Sequence, residues 1–345
     1  MSATGTFSTI NAAKADFSSI YVQPDPRSYF RTLGALGYSI PHLARPIFEQ
    51  LIEACQRAKG GPITVLDLGC SYGINAALMK YRVSYDQIVE RYDSLIQQSL
   101  DGDSLMEMDR HYYAAWPKRR DITVIGLDIS EPAIRYAQAS GALDIGFAAD
   151  LENDAPSPEM AAALSKADLI VSTGCVGYVT SKTFETLLRC AAGKVPWVAS
   201  FVLRMFDYGD IAATLRARGL VTEKFEGASF VQRRFRDEDE MRATLDALAQ
   251  RGINPVAKEA EGLFHAEFFC SRPEAEIRQQ PINKLVSVSS GMNRNYGRRP
   301  RLAQPRASAK PKAAPRAAAP GTGPAADTST GASGAYLKKG RSAAE

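Results

Sequence analysis

Between Ile63 and Gly73 the chain reads Ile-Thr-Val-Leu-Asp-Leu-Gly-Cys-Ser-Tyr-Gly, an apolar run that ends in Asp67 and is followed by glycines at 69 and 73. A helical pattern begins directly afterwards. The segment predicts a strand, a tight turn and a helix start, with a carboxylate at the strand tip. Glycine lets a ligand lie against bare backbone with no Cβ in the way. The acid argues against a pyrophosphate, which it would repel. It suits a ligand that carries positive charge.

Two further runs repeat the arrangement. Ile122-Thr-Val-Ile-Gly-Leu-Asp128 again ends in an acid, and Ser130-Glu-Pro132 then opens a helix with Ser130 as its cap. Asp144-Ile-Gly-Phe-Ala-Ala-Asp150-Leu151 is a third, shorter one. In a doubly wound sheet the second strand tip lies beside the first glycine turn, where Asp128 can accept both hydroxyls of a ribose. Were the acids only helix caps, that coincidence would have to occur three times.

Together the three strands resemble the class I S-adenosylmethionine (SAM)-dependent methyltransferases, whose first motif reads acid-x-Gly-x-Gly-x-Gly. Ser71 stands here in place of the middle glycine. The resemblance covers about residues 60–273. It implies an α/β fold with a seven-stranded, mostly parallel, doubly wound sheet whose last strand is antiparallel. It implies SAM as cofactor, with Asp67, Gly69, Cys70, Ser71 and Gly73 around the methionine part. Asp128, with Ile129 beside it, would meet the ribose. Asp150 and Leu151 would meet the adenine, and Ser172 and Gly174 would border the methyl group.

The chain has 345 residues, and no apolar run approaches the ~18 residues of a membrane span. Residues 1–17 lack the basic start and apolar centre of a secretion signal and are expected to be disordered. The five cysteines form no close pair, which points to a reducing, cytoplasmic setting without a metal site. Residues 18–60 form a helical N-terminal segment, with Tyr29 and Phe30 and a helix near Pro46–Arg57, placed as a lid. From Gly73 to Asp128 is 55 residues, whereas such units need only about 20 from glycines to acid. The excess, about residues 82–120, is read as a helical insertion over the crevice, with an amphipathic helix (Ile88, Tyr92, Leu95) and an aromatic stretch from His111 to Trp116. The methyltransferase domain spans 61–273. Its later part is expected as a strand over 168–173, a helix from Thr180 to Ala192 and a strand over 197–203. A helix from Asp207 to Gly219, one strand over 220–235, a helix from Asp237 to Gly252 and a last strand over 262–270 complete it. From Ser287 to the end, 11 Lys/Arg face two acids, a balance of +9, which leaves 31 against 36, or −5, for the rest. This basic 287–345 tail cannot bury enough apolar surface to fold, and it suits at most weak, nonspecific nucleic-acid contact.

Methyl transfer is an in-line displacement on an already activated carbon, so the protein must mainly align the acceptor and exclude water. Candidates for a general base are Tyr178, His42 and His111. Candidates for acceptor contact are Tyr29, Tyr178, Arg204 and Tyr208, with Arg204 able to fork a carboxylate. His265 reads as a solvated strand histidine and Cys175 as a small packed residue. The loop Gly174-Cys-Val-Gly-Tyr178 departs from the Asn/Asp-Pro-Pro-aromatic sequence of methyltransferases acting on bases or glutamine, so a small molecule is the expected substrate. Two other readings compete. A nicotinamide dehydrogenase lacks its Gly-x-Gly-x-x-Gly here and would set Asp67 against the pyrophosphate. A SAM-binding regulatory protein would bind without turnover.

Overall fold

All three acid-tipped runs are neighbouring parallel strands. The computed structural model describes residues 17–191 and 193–288. The N-terminal segment forms α1 (Ser18–Tyr21), α2 (Arg27–Ala35) and α3 (Ile40–Lys59). Then come β1 (Ile63–Leu68), α4 (Ile74–Lys80), α5 (Tyr85–Leu95), α6 (Gly102–Ala114), β2 (Ile122–Asp128), α7 (Glu131–Ala139) and β3 (Ile145–Ala148). The second half runs α8 (Pro158–Leu164), β4 (Leu169–Thr173), α9 (Ser181–Cys190), β5 (Trp197–Leu203), α10 (Gly209–Arg216), β6 (Leu220–Lys224) and β7 (Phe230–Arg234). It ends with α11 (Glu238–Gln250), β8 (Leu263–Pro273), α12 (Glu274–Gln279) and α13 (Ile282–Leu285).

The strand order is β3-β2-β1-β4-β5-β8-β6, with β7 also paired to β8. β1 to β5 are parallel, and β8 runs antiparallel to β5. Seven strands follow one another across the sheet as expected, and β7 adds an eighth along β8. The edge differs from expectation, because residues 220–235 are two strands. β6 pairs with the far end of β8 and β7 with its near end, both antiparallel. Gly227 lies in the break between them, and a Cβ there would come 2.8 Å from the Phe225 ring.

Helices cover both faces, so β4 and β5 are buried along their whole length and read as unbroken apolar runs. Val65, Val124, Val171 and Ala199 face one layer, built from α2 to α7. Leu66, Ile125, Ile170 and Val198 face the other, built from α8 to α11. Asp67 follows Val65 on the first face.

Several boundaries move for packing reasons. α3 begins at Ile40, with Pro41 in its first turn and Pro46 inside it. An interior proline costs about 3 kcal/mol. Burial of Ile40, Leu43 and Ala44 ahead of it offsets that cost. The insertion holds two helices, α5 and α6, where one was read. α5 has a capping box of Ser84 and Gln87, and α6 is capped by Asp101. Phe17, counted with the disordered start, is the N-cap residue of α1, and its ring lies 5.0 Å from the Arg233 guanidinium. β8 continues to Pro273, and α13 follows on α3, with Ile282, Leu285 and Val286 buried. The N-terminal expectation for 1–16 and most of the basic tail, 289–345, lie outside the described residues. None of the helices described is long and apolar enough to cross a membrane.

Candidate functional site

β1 has β2 on one side and β4 on the other, so the chain leaves it in opposite directions. Ligands of open α/β sheets lie outside the carboxyl ends of the strands at such a point. Here that point is framed by Asp67, the loop from Gly69 to Gly73, and Thr173-Gly174. Alternate loop residues are left-handed: φ is 71° at Gly69, 49° at Ser71 and 75° at Gly73. The glycines answer to the protein behind the loop. A Cβ on Gly69 would fall 2.6 Å from the Cys175 Cβ, and one on Gly73 would fall 2.9 Å from the Ala142 Cβ. Close packing thus requires them, a reason the motif alone does not reveal. Ser71 accepts the left-handed geometry at a cost of roughly 1–2 kcal/mol, and its N–H donates to Asp128 Oδ2 at 2.8 Å.

Asp67 is fully buried, and neither carboxylate oxygen accepts a hydrogen bond among the described residues. Burial, reinforced by the negative Asp128 nearby, pushes its carboxyl up to about 7; the Asn75 side chain and the Ala76 N–H, close by but outside hydrogen-bonding geometry, offset this only in part. A buried carboxylate without partners is costly. A cation brought beside it would offset that cost. The Ser71 Oγ is a second buried oxygen without a partner among the described residues.

Asp128 is half-buried. Its Oδ1 accepts the Ser130 N–H at 2.9 Å and its Oδ2 the Ser71 N–H, so the carboxylate is aimed by two backbone donors and keeps lone pairs for hydroxyls. Burial raises its pKa. Ile129 beside it is 71% exposed, a bare apolar face at the strand tip. Asp150 lies two residues beyond the end of β3. Its oxygens accept the Glu152 N–H at 3.0 Å and the Asn153 side chain at 2.7 Å, which shapes the turn, and Leu151 is buried beneath it. Asn75, which the sequence reading passed over, donates to Thr173 Oγ1 at 2.8 Å and joins the start of α4 to the end of β4. Its offset of eight residues from Asp67, across the turn into α4, was the available signal.

The N-terminal segment is fastened to the same loop. The Tyr72 hydroxyl lies 2.9 Å from the carbonyls of both Ile20 and Gln23, and Ser130 Oγ donates to the Tyr21 carbonyl at 2.6 Å. Tyr29 is buried among the rings of Tyr21, Phe30, Tyr38 and Tyr72 at centroid distances of 5.1–6.2 Å. The insertion is anchored by Asp109, which is fully buried and takes bonds from Arg91 at 2.8 Å, Tyr136 at 2.7 Å and the Tyr92 hydroxyl.

Other expected site residues are placed elsewhere. Arg204 is buried and committed to Glu259 at 2.5 Å and to the Asn254 carbonyl at 2.9 Å, so it is no free fork for a carboxylate. Tyr208 is buried on the opposite face of the sheet, stacked on Phe269 at 4.6 Å. Ser172 also faces that side and bonds Ser200 at 2.9 Å, leaving Thr173 and Gly174 at the crevice. His111 points outward from α6, 71% exposed and 3.0 Å from Glu107. His42 is half-buried in the first turn of α3, near Asp86 and Arg45, and burial lowers its pKa. Cys175 lies against the Leu68 carbonyl at 3.4 Å with its thiol pushed up to about 12 by burial, unsuited to act as a nucleophile. His265, read as solvated, is buried beside Ser229, and burial lowers its pKa to about 4. Tyr178 remains exposed on the loop after β4.

No protein-family model and no curated protein matches the sequence. Solved structures do match. The plantazolicin methyltransferase BamL, in complex with a triazolic desmethylPZN analog and SAH, is similar at 14% identity over 78% of this chain and 97% of that one, with a TM-score of 0.41. A TehB-like SAM-dependent methyltransferase from Corynebacterium glutamicum ATCC 13032 Kitasato is similar at 17% identity over 70% and 93%, with a TM-score of 0.33. EvdMO1 is similar at 16% identity over 67% of this chain, with a TM-score of 0.33; the chain spans only 42% of EvdMO1 and 39% of WbdD.

Proposed function

We propose that the chain is a SAM-dependent methyltransferase that acts on a small-molecule acceptor. The observation that carries this reading is the buried, partnerless carboxylate of Asp67 at the switch point of the sheet. That pair of acceptor oxygens fits the cofactor's methionine part, whose ammonium would donate the missing hydrogen bonds. Asp128, already aimed by Ser71 and Ser130, would take the ribose hydroxyls. The exposed Ile129 offers an apolar face to the adenine, and Leu151 supports the same edge. Asp150 would reach the adenine amino group with the lone pairs its turn leaves free.

The cofactor supplies a methyl group already activated by the sulfonium. What remains for the protein is alignment and the exclusion of water. α1, tied down by Tyr72 and Ser130, covers the glycine loop, and the ring cluster around Tyr29 makes that cover apolar. Thr173 and Gly174 border the place where the methyl group would be presented. Tyr178, exposed beyond them, is the candidate that remains at this edge for acceptor contact or for moving a proton.

The test is to incubate the protein with methyl-labelled SAM and a metabolite extract. The expected result is label in one small molecule and accumulation of S-adenosylhomocysteine (SAH). Label that stays on bound SAM, with none transferred, would favour a binding protein without turnover. No binding of SAM at all would overturn both readings.

A further inference from the structure

One buried polar group near this crevice is not used by the cofactor reading. Gln232 lies on the edge strand β7, only 5% exposed, and its side-chain oxygen has no hydrogen-bond partner among the described residues. Val231 pairs with His265 and Arg233 with Phe264, so Gln232 is the extra residue of a β-bulge. Bulges re-aim a side chain and are frequent beside functional sites. The bulge is held in place, because the Ser39 N–H donates to the Gln232 carbonyl at 2.9 Å and Ser39 Oγ to the Val231 carbonyl at 3.0 Å. The re-aimed carboxamide reaches the exit of β4. A Cβ on Gly174 would lie 3.0 Å from the Gln232 Nε2, and Gly174 has a φ of 73°. A glycine with this backbone leaves room for the amide beside the residues that border the methyl group.

The charges around it narrow the partner. Arg233 is taken by a two-pronged pair with Glu240 at 2.6 and 2.8 Å, and Arg204 by Glu259. Asp128 is negative on the cofactor side. An anionic acceptor would thus meet repulsion and find neither arginine free. An unpartnered amide oxygen asks instead for an N–H or O–H.

The geometry points to Gln232 as a specificity-determining residue that receives a neutral acceptor through a hydrogen bond from its hydroxyl or amine. This rests on the methyltransferase reading and adds the acceptor class. The probes are phenol, benzoate and toluene, titrated into the full chain saturated with SAH and, separately, into the chain alone. Nitrogen-labelled protein reports the Gln232 side-chain amide signal. Phenol should shift that signal and bind more tightly than toluene by roughly fivefold, with benzoate weakest. Gln232→Met should remove the preference for phenol while SAH affinity stays within about twofold. Should that variant fold poorly, Gln232→Glu keeps an acceptor oxygen and must keep phenol above toluene. Equal binding of phenol and toluene, or no binding of either, would overturn the assignment. So would a loss of SAH affinity in Gln232→Met, which would make the residue part of the cofactor site. Failure of SAH to bind the unaltered chain would instead strike the methyltransferase reading, and the phenol preference would still be read on the chain alone.

Discussion

Asp67 and Asp109 are both aspartates with no measurable exposure, and their surroundings are opposite. Asp109 sits in the insertion with a guanidinium and two tyrosine hydroxyls on its oxygens. Asp67 sits at the tip of β1 with no hydrogen bond on either oxygen among the described residues. Burying an acid is expensive in both places. Where the chain itself answers the charge, the acid serves to hold the insertion on α7. Where it does not, the proposed function assigns the answer to a ligand. Satisfaction, and not burial, separates a structural acid from a binding one.

The largest effect should come from removing the satisfied acid. Asp109→Ala leaves Arg91 and two buried hydroxyls without their common partner and should cost about 3–4 kcal/mol of unfolding free energy, read by urea denaturation. A loss below 1 kcal/mol would break the comparison. Next comes Asp128→Ala. It removes the tie to the Ser71 N–H and, on the proposed function, two ribose hydrogen bonds, and should weaken SAH binding by about 2–3 kcal/mol in calorimetry. Unchanged affinity would remove Asp128 from the ribose.

Asp67→Asn sharpens the contrast because its sign is opposite to that of Asp109→Ala. The folded chain holds the Asp67 proton up to about pH 7, well above the ordinary value of 3.8. The unfolded chain releases it earlier, so the stability this proton contributes is lost as pH rises towards 7 and stays lost above it. Asn carries no such penalty. The variant should therefore be more stable than the native chain at pH 8 and little different at pH 4, while binding SAH less well. Lower stability at pH 8 would contradict a partnerless acid. The smallest effect belongs to the N-terminal segment. Tyr72→Phe loses the hydroxyl contacts to Ile20 and Gln23 and should cost about 1 kcal/mol, seen as faster amide exchange over residues 18–23.

Much of the core architecture was legible because each strand announces itself by an apolar run with an acid or glycine at its end. The three tips at Asp67, Asp128 and Asp150 fall at neighbouring strands β1, β2 and β3, although β3 itself stops at Ala148. Less legible was whatever depends on partners distant in sequence. Arg204 looks like a free fork until Glu259 folds against it, 55 residues on. Tyr208 looks available until Phe269 stacks on it. His111 has a plausible chemistry and the wrong side of its helix. The split of residues 220–235 escaped because a bulge and a break leave the apolar alternation of an edge strand nearly intact. Gln232 drew no notice for a similar reason. A lone glutamine in a strand carries no signal until its neighbours are known.

Calorimetry of SAH binding between pH 6 and pH 8, in buffers with different heats of ionisation, reports directly on the acid at the tip of β1. If a cation completes Asp67, binding near pH 7 releases a proton to the buffer, affinity rises with pH across this range, and both effects vanish in Asp67→Asn. Binding whose strength and heat are indifferent to pH and buffer, or identical in the variant, would contradict the account.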